Sequence, residues 1–217
     1  MKKKNKKYFY IAVCMIIAFL SWTVAVCFID VSAIGPKKSS VGFSTINGFI
    51  HNLTGVNMPL YIITDWLGLV PFCFIIGFAM TGLMQWIKRK SLLKVDYSIL
   101  VLGGFYIVVM MVYILFEIVV VNYRPVLIDG FLEASYPSST TMLVMCVMPT
   151  AIMQFNTRIK NMFLRRIISF ISIAFVIFMV IARLVSGVHW FSDIIGGVLI
   201  SGGLVMMYYY VCSLNSR

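Results

Sequence analysis

Residues 133–144 read EASYPSSTTMLV, a short polar break after which a long apolar stretch resumes. Pro137 is followed by four hydroxyl side chains, Ser138, Ser139, Thr140 and Thr141, and then by apolar residues. Hydroxyl side chains are typical of a helix start, where the first backbone N–H groups lack helical partners and attract anions. The stretch therefore predicts an apolar helix whose N-terminus can cradle an anion.

The rest of the chain is far too apolar for a soluble globular protein. Hydrophobic residues make up 61% of its 217 residues, and charged residues only 12%. Six apolar segments approach the roughly 20 residues that span a bilayer: 8–29, 59–86, 97–121, 138–155, 167–185 and 193–212. We therefore expect an all-α fold, a polytopic membrane bundle of six transmembrane helices that forms a single domain over residues 1–217.

The basic residues predict the orientation of this bundle. The net charge is +11, and fourteen of the eighteen Lys and Arg residues fall in the tail 1–7, in the second and fourth predicted loops and at Arg217. By the positive-inside rule both termini are cytoplasmic. The excess charge then belongs to membrane-proximal loops, which indicates membrane lipids as partners and no nucleic acid. A short chain with lysine-rich loops suits the cell membrane of a bacterium, that is, its inner membrane.

The segment 30–58 is expected on the extracytoplasmic side, between the first two spans. Within it, residues 43–53 read FSTINGFIHNL and place apolar side chains at roughly helical spacing. This pattern is compatible with a helix that lies along the membrane interface.

The cysteines and acidic residues offer no metal site by their spacing. All five cysteines fall inside the predicted spans, so they supply neither a disulfide framework nor a zinc-ligand pattern. We expect no metal and no cofactor.

Polar residues of several segments converge on the outer side of the predicted bundle. Arg124 follows the third span, Arg183 lies near the end of the fifth, and His189 and Asp193 lead into the sixth. The hydroxyl cluster opens the fourth span at the same side. Charged groups near a bilayer are costly unless they serve a polar cavity, so their convergence favours a binding or catalytic site.

The stretch ARLVSGVHWFSDIIGG, residues 182–197, carries the most specific pattern. His189 and Asp193 are four residues apart, so on a helix start they share a face, and Asp193 can accept a hydrogen bond from one imidazole nitrogen. The other nitrogen is then free as a nucleophile or base. Arg124 and Arg183 can bind phosphate bidentately. Together these groups predict phosphoryl transfer through a phosphohistidine without a metal.

Three motifs resemble those of the type 2 phosphatidic acid phosphatase (PAP2) superfamily, which also contains the vanadium haloperoxidases. They are YRP at 123–125, YPSS at 136–139 and R-x5-H-x3-D at 183–193. The family pattern is K-x6-RP, PSGH and SR-x5-H-x3-D. The resemblance implies a lipid phosphatase in which His189 is the nucleophile and Asp193 orients it. It also implies a phosphate site formed by Arg124, Ser138, Ser139 and Arg183.

The sequence departs from that pattern at four positions. Glu117 stands where the family has Lys, Ser139 replaces Gly, Thr140 replaces the second His, and Ala182 replaces Ser. The family His donates a proton to the leaving oxygen, which the weakly acidic hydroxyl of Thr140 cannot do. A phosphate leaving group needs that proton far less than a lipid alkoxide, so a lipid diphosphate, such as undecaprenyl diphosphate or another polyprenyl diphosphate, is the expected substrate.

Two auxiliary roles stay open at this point. Glu117 either forms an ion pair with Arg124 or Arg183, or stays protonated and supplies the missing acid. Asp65, in the second predicted span, poses the same choice. His51 is a further candidate for the absent acid.

Three functions other than hydrolysis are compatible with these residues. The first is a catalytically silent relative that binds a lipid phosphate or supports lipid transport, because two polar family residues are lost together. The second is phosphotransfer to an acceptor other than water. The third is a haloperoxidase, which the membrane setting and the missing His disfavour.

Overall fold

The computed structural model describes residues 2–215, so the predicted placement of Met1 and Arg217 lies outside the described residues. Within residues 2–215 the chain forms eight α-helices: α1 (Lys2–Phe28), α2 (Ser44–Thr54), α3 (Met58–Leu67), α4 (Val70–Arg89), α5 (Tyr97–Ile118), α6 (Ser139–Arg158), α7 (Met162–Val185) and α8 (Phe191–Leu214). Strand pairing in that range is limited to isolated bridges. The prediction of an all-α membrane bundle is confirmed.

Five segments of the described chain are long and apolar enough to cross a membrane. They are Lys6–Phe28, Met58–Arg89, Tyr97–Ile118, Met162–Val185 and Phe191–Leu214. The chain is therefore a multi-pass membrane protein. The sixth span and the cytoplasmic placement of both termini stay predictions.

Helix α6 contains the fourth predicted span and is the most polar of the long helices inside the bundle. It packs against α4, α5, α7 and α8, and its polar residues Thr140, Thr141, Thr150 and Gln154 are buried. Its 20 residues cover about 30 Å at 1.5 Å per residue, which matches a hydrocarbon core. Neighbouring helices surround α6 and separate it from lipid. Its side chains therefore need not be apolar.

The second and third predicted spans are interrupted or shortened. The second is divided between α3 and α4, and Gly68 caps α3 by donating its N–H to the carbonyl oxygens of Thr64 and Asp65. The third ends at Ile118, so the helix does not continue to Arg124. Both breaks place polar residues at the end of the bundle where α6 begins.

Residues 122–135 form a hairpin over that end of the bundle. The N–H of Arg124 donates to the carbonyl of Glu133 at 3.0 Å, and the N–H of Ser135 donates to the carbonyl of Asn122 at 2.9 Å. The turn consists of Asp129 and Gly130, both at positive φ (50° and 83°), as a two-residue hairpin turn requires. The hairpin fixes Arg124 and Ser135 relative to each other.

The segment 30–58 contains a helix, α2, where the sequence is compatible with one. Helix α2 packs against the start of α8, because Asn47 donates to Ser192 Oγ at 2.9 Å and accepts from Ser192 N–H at 3.0 Å. Its position along the membrane interface stays a prediction. These two hydrogen bonds hold the N-terminus of α8 against α2.

Gly187→Ala should destabilise the protein. Gly187 has a φ of 68°, and a Cβ built there would lie 1.9 Å from the carbonyl oxygen of Gly55. The backbone must shift, so we expect a loss of about 1–3 kcal/mol in the free energy of unfolding, measured as a lower thermal midpoint in detergent. The control is Gly104→Ala, whose Cβ would meet nothing within 4 Å in the described chain. Equal midpoints for the two variants would contradict the prediction.

Candidate active site

A polar cavity of about 590 Å³ opens where α3, α5, α6, α7 and the hairpin meet. Six of the residues singled out in the sequence line it: Asp65, Glu117, Arg124, Ser139, Thr140 and Arg183. Three more, Ser138, His189 and Asp193, are buried at the same end of the bundle. The structure therefore brings together the residues that the sequence places in one site.

His189 and Asp193 do not share a helix face. Helix α8 begins at Phe191, so His189 precedes it. The side chain between the two residues is that of Ser135, whose Oγ lies 2.5 Å from Asp193 Oδ2 and 3.0 Å from His189 Nδ1. Asp193 also caps α8 by accepting the backbone N–H of Trp190 at 2.9 Å. The expected direct hydrogen bond is thus replaced by an indirect one.

The surroundings of His189 fix which ring nitrogen carries the proton. Nδ1 lies 3.2 Å from the backbone carbonyl oxygen of Ser135, and a carbonyl oxygen only accepts, so Nδ1 is the protonated nitrogen. Nε2 is buried and has no hydrogen-bond partner within residues 2–215. Burial and then the charges of Arg124 and Arg183 hold the pKa of His189 well below its usual range. The imidazole is therefore neutral, with a lone pair on Nε2.

Arg183 is almost fully buried, with 1% of its surface exposed. Its Nη1 donates to Thr64 Oγ1 at 3.2 Å, and its Nη2 donates to Thr140 Oγ1 at 2.7 Å. Nη2 also lies 3.5 Å from Asp65 Oδ1. Nε is buried without a partner in the part of the chain that the structure describes. The two Nη atoms of this guanidinium donate to hydroxyl groups, and its Nε–H is available to another acceptor.

Arg124 faces the same ring as Arg183. The two guanidinium carbons lie 5.8 Å and 5.0 Å from the ring centroid of Tyr61, respectively. Nε of Arg124 pairs with Glu133 Oε2 at 3.1 Å, while Nη1 is buried and unpartnered among the described residues. Two guanidinium groups at one ring repel each other, so an anion beside them is favoured.

Ser138 does not play the ordinary capping role of a serine at a helix start. It is the N-cap residue of α6, but in the described structure its buried Oγ accepts no hydrogen bond from the helix and has no other partner. Its backbone N–H donates to the carbonyl of Asp193 at 3.0 Å. The hydroxyl and the first N–H groups of α6 are therefore available as donors, as an anion site requires.

The structure shows which of the auxiliary carboxylates form ion pairs with the two arginines. Among the described residues, the ion pairs at the site join Arg124 to Glu133 and Arg183 to Asp65, and none involves Glu117. Of the two alternatives for Glu117, the ion pair does not form in the described structure, because α5 ends at Ile118 and the hairpin brings Glu133 to Arg124 instead. Its role as a protonated acid stays a prediction. For Asp65 the ion-pair alternative holds.

His51 lies outside the cavity. Its ring is tilted against that of Trp190 at a centroid distance of 5.4 Å, and burial holds its pKa below the usual range. It does not line the polar cavity described above, which makes it a poor source of the missing acid.

Several residues of the site were not identified from the sequence: Tyr61, Thr64, Asn122, Glu133 and Ser135. Asn122 Nδ2 donates to Asp193 Oδ1 at 3.2 Å, and so completes the donors around that carboxylate. One available signal was the Asp129-Gly130 dipeptide, which is typical of a hairpin turn and pairs Glu133 and Ser135 with the residues around Arg124. The roles of Thr64 and Tyr61 depend on tertiary packing and have no local signal.

Comparisons with known proteins agree with this fold. The sequence model of the PAP2 superfamily matches residues 102–217. Among solved structures, the chain is similar to a transmembrane PAP2-type phosphatidylglycerolphosphate phosphatase from Bacillus subtilis, with a TM-score of 0.64 and 17% identity over 96% of this chain and 98% of that one. No curated protein matches the sequence.

Thr140→Val should weaken the binding of inorganic phosphate about tenfold. Valine keeps the shape of threonine but removes the hydroxyl that holds Arg183 Nη2, and hydrogen bonds to charged groups contribute about 1.5–3 kcal/mol. The measurement is calorimetric titration of the detergent-solubilised protein with phosphate. Thr140→Ser, which keeps the hydroxyl, is the control and should bind like the native chain. Equal affinity for Val and Ser variants would mean that the hydroxyl does not position Arg183.

Proposed function

The chain belongs to the PAP2 superfamily, and we propose that it is a membrane lipid phosphatase that acts on a lipid diphosphate, such as a polyprenyl diphosphate, through a phosphohistidine. The site faces the extracytoplasmic side in this proposal, because most of the basic residues that mark the cytoplasmic side fall in the opposite loops. A bacterial inner membrane is the expected location.

The unpaired Nε2 of His189 is the observation that carries the proposal. A buried polar atom without a partner costs free energy, and in the described chain this one accompanies other unpartnered groups: Arg124 Nη1, Arg183 Nε and Ser138 Oγ. A nucleophile with a fixed tautomer among donors for an anion is the constellation that phosphoryl transfer needs. A binding site alone would not require the oriented imidazole.

The proposed first step uses the lone pair of His189 Nε2. It attacks the terminal phosphorus of the lipid diphosphate, and the bond from that phosphorus to the bridging oxygen breaks. The electron pair leaves with the lipid monophosphate, and the proton on Nδ1 stays in place. The two arginines and the α6 N-terminus stabilise the negative charge on the transferring phosphoryl oxygens.

The second step releases phosphate from the histidine. Water attacks the phosphorus, the phosphorus–nitrogen bond breaks, and its electron pair returns to Nε2 while a water proton passes to solvent. Because Thr140 stands where the family has its second histidine, this step lacks a side-chain base of that kind. Transfer of the phosphoryl group to another hydroxyl acceptor is the related reaction that a slow water step would permit.

Thr140 supports the preference for a diphosphate. Its hydroxyl accepts from Arg183 at 2.7 Å, and an alcohol is too weak an acid to protonate a lipid alkoxide. When the substrate is a lipid diphosphate, the leaving group is a lipid monophosphate, which is stable as an anion and leaves without that proton. A monoester substrate would require an acid that the position of Thr140 does not provide.

A catalytically silent relative that binds lipid phosphates, or supports lipid transport, is the second candidate. It is favoured by the joint loss of two polar family residues, because Glu117 stands where the family has Lys and Thr140 where it has the second His. Headgroup binding without turnover would identify this function.

Purified protein in detergent should release phosphate from a polyprenyl diphosphate at least tenfold faster than from a lipid monophosphate. His189→Ala should abolish release, because it removes the nucleophile. His51→Ala is the matched control, since His51 is the only other histidine and lies outside the cavity. Equal turnover of both lipids would contradict the leaving-group argument. No release by the native chain, with retained lipid binding, would establish the silent alternative.

The pH dependence of kcat/KM should show an acid limb below pH 6.5. The pKa of His189 in the free protein lies well below its ordinary value of 6.5 because of burial and the two arginines, and kcat/KM reports the free enzyme. As the pH falls from 7.5 to 6.5, Nε2 therefore stays unprotonated and kcat/KM should stay level. A decline already centred at or above pH 6.5 would argue against this neutral imidazole.

A further inference from the structure

Ser135 stands between the two residues that the PAP2 motif places together. Its side chain is buried with 3% exposure. Its Oγ contacts Asp193 Oδ2 at 2.5 Å and His189 Nδ1 at 3.0 Å, and its own carbonyl oxygen lies 3.2 Å from the same Nδ1. In the described structure the partners of Nδ1 both belong to Ser135 and not to Asp193.

The hydrogen atoms on this path can be assigned from donor and acceptor capacity. An ionised carboxylate only accepts, so the Ser135 hydroxyl donates its single proton to Asp193. The lone pairs of Oγ then face Nδ1, which donates its proton to Ser135. The path therefore runs from the imidazole through the hydroxyl to the carboxylate, and all its donors point one way.

We infer that Ser135 is a positioning residue through which Asp193 acts on His189. Its hydroxyl couples the carboxylate of Asp193 to the imidazole by hydrogen bonds, keeps the imidazole proton on Nδ1, and orients Nε2 away from the carboxylate. The catalytic part of this inference rests on the proposed function. In that reaction the same contact would stabilise the positive charge that His189 acquires when it is phosphorylated.

The backbone around Ser135 is held from both sides, as a positioning residue requires. Its N–H donates to the carbonyl of Asn122 at 2.9 Å. The next residue, Tyr136, is buried, and its hydroxyl lies 2.7 Å from that of Thr23. A Cβ at Gly196 would lie 2.6 Å from the ring of Tyr136, so α8 and Tyr136 are in close contact. These contacts hold the side chain of Ser135 between His189 and Asp193.

Asp193 has other donors, and these make the inference testable. The N–H of Trp190 and the amide of Asn122 would still bind the carboxylate if the serine hydroxyl were removed. A purely structural serine would therefore leave the imidazole as it is. A transmitting serine would cut the link between Asp193 and His189.

The test is a double-mutant cycle read on the imidazole itself. The chain has two histidines, so His51→Gln leaves His189 as the only signal in a protein labelled with 15N-histidine. In this background we would record the ring nitrogen shifts and the titration of His189 in detergent for Ser135→Ala, Asp193→Asn and the double variant. The expected result is that Asp193→Asn shifts the Nδ1 resonance strongly when Ser135 is present and at most a third as much in Ser135→Ala. An equal shift in both backgrounds would overturn the inference.

Kinetics provide the second readout. Ser135→Ala should lower kcat on the diphosphate about tenfold or more with KM within about twofold, as expected when one hydrogen bond to a developing charge is lost. Ser135→Thr keeps the hydroxyl and should recover most of kcat. An Ala variant with native kcat would overturn the catalytic part. If the native chain releases no phosphate, the proposed function fails, but the nitrogen shifts still decide whether Ser135 links Asp193 to His189.

Discussion

The buried carboxylate of Asp193 is the group on which the candidate-site end of the bundle depends. It is fully buried, and an ionised carboxylate without partners costs several kcal/mol in such a place. Its donors are the hydroxyl of Ser135, the N–H of Trp190, the amide of Asn122 and the hydroxyl of Ser192. Two of these donors close the hairpin, which presents Arg124, and one starts α8, which places His189. The hydrogen bonds that stabilise this one carboxylate therefore hold much of the site together.

The arginines impose the opposite requirement, because two like charges meet at the ring of Tyr61. Asp65 and Glu133 offset part of that repulsion, but their side chains are 60% and 42% exposed. Ion pairs with such exposed partners contribute about 0–1 kcal/mol, so an incoming phosphate displaces them at small cost. The donors of Arg124, Arg183 and Ser138 that stay unpartnered in the described chain are themselves buried. The rim carboxylates are thus compatible with an anion site that exchanges its occupant.

The parts of this arrangement that follow local patterns were predictable, and those that follow packing were not. Apolar segment lengths indicate the helices, and charge spacing indicates that Arg124, Arg183 and His189 meet at one end. The four-residue spacing of His189 and Asp193 was misleading because it assumed a helix that begins only at Phe191. No periodicity in the sequence reveals that Ser135 fills the gap, since its position depends on the hairpin pairing and on the packing of Tyr136.

Thr140 connects the electrostatics of the site to the choice of substrate. A histidine at this position serves as an acid in the family pattern, whereas the hydroxyl here is occupied by Arg183 Nη2. The exchange replaces proton transfer by a firmer hold on a buried guanidinium, which favours binding of the phosphoryl oxygens. In the proposed reaction, such a site would stabilise charge on the transferring group and leave the departing oxygen unassisted. The proposed substrate is therefore one whose leaving group is already a stable anion, as the lipid monophosphate released from a diphosphate is and an alkoxide is not.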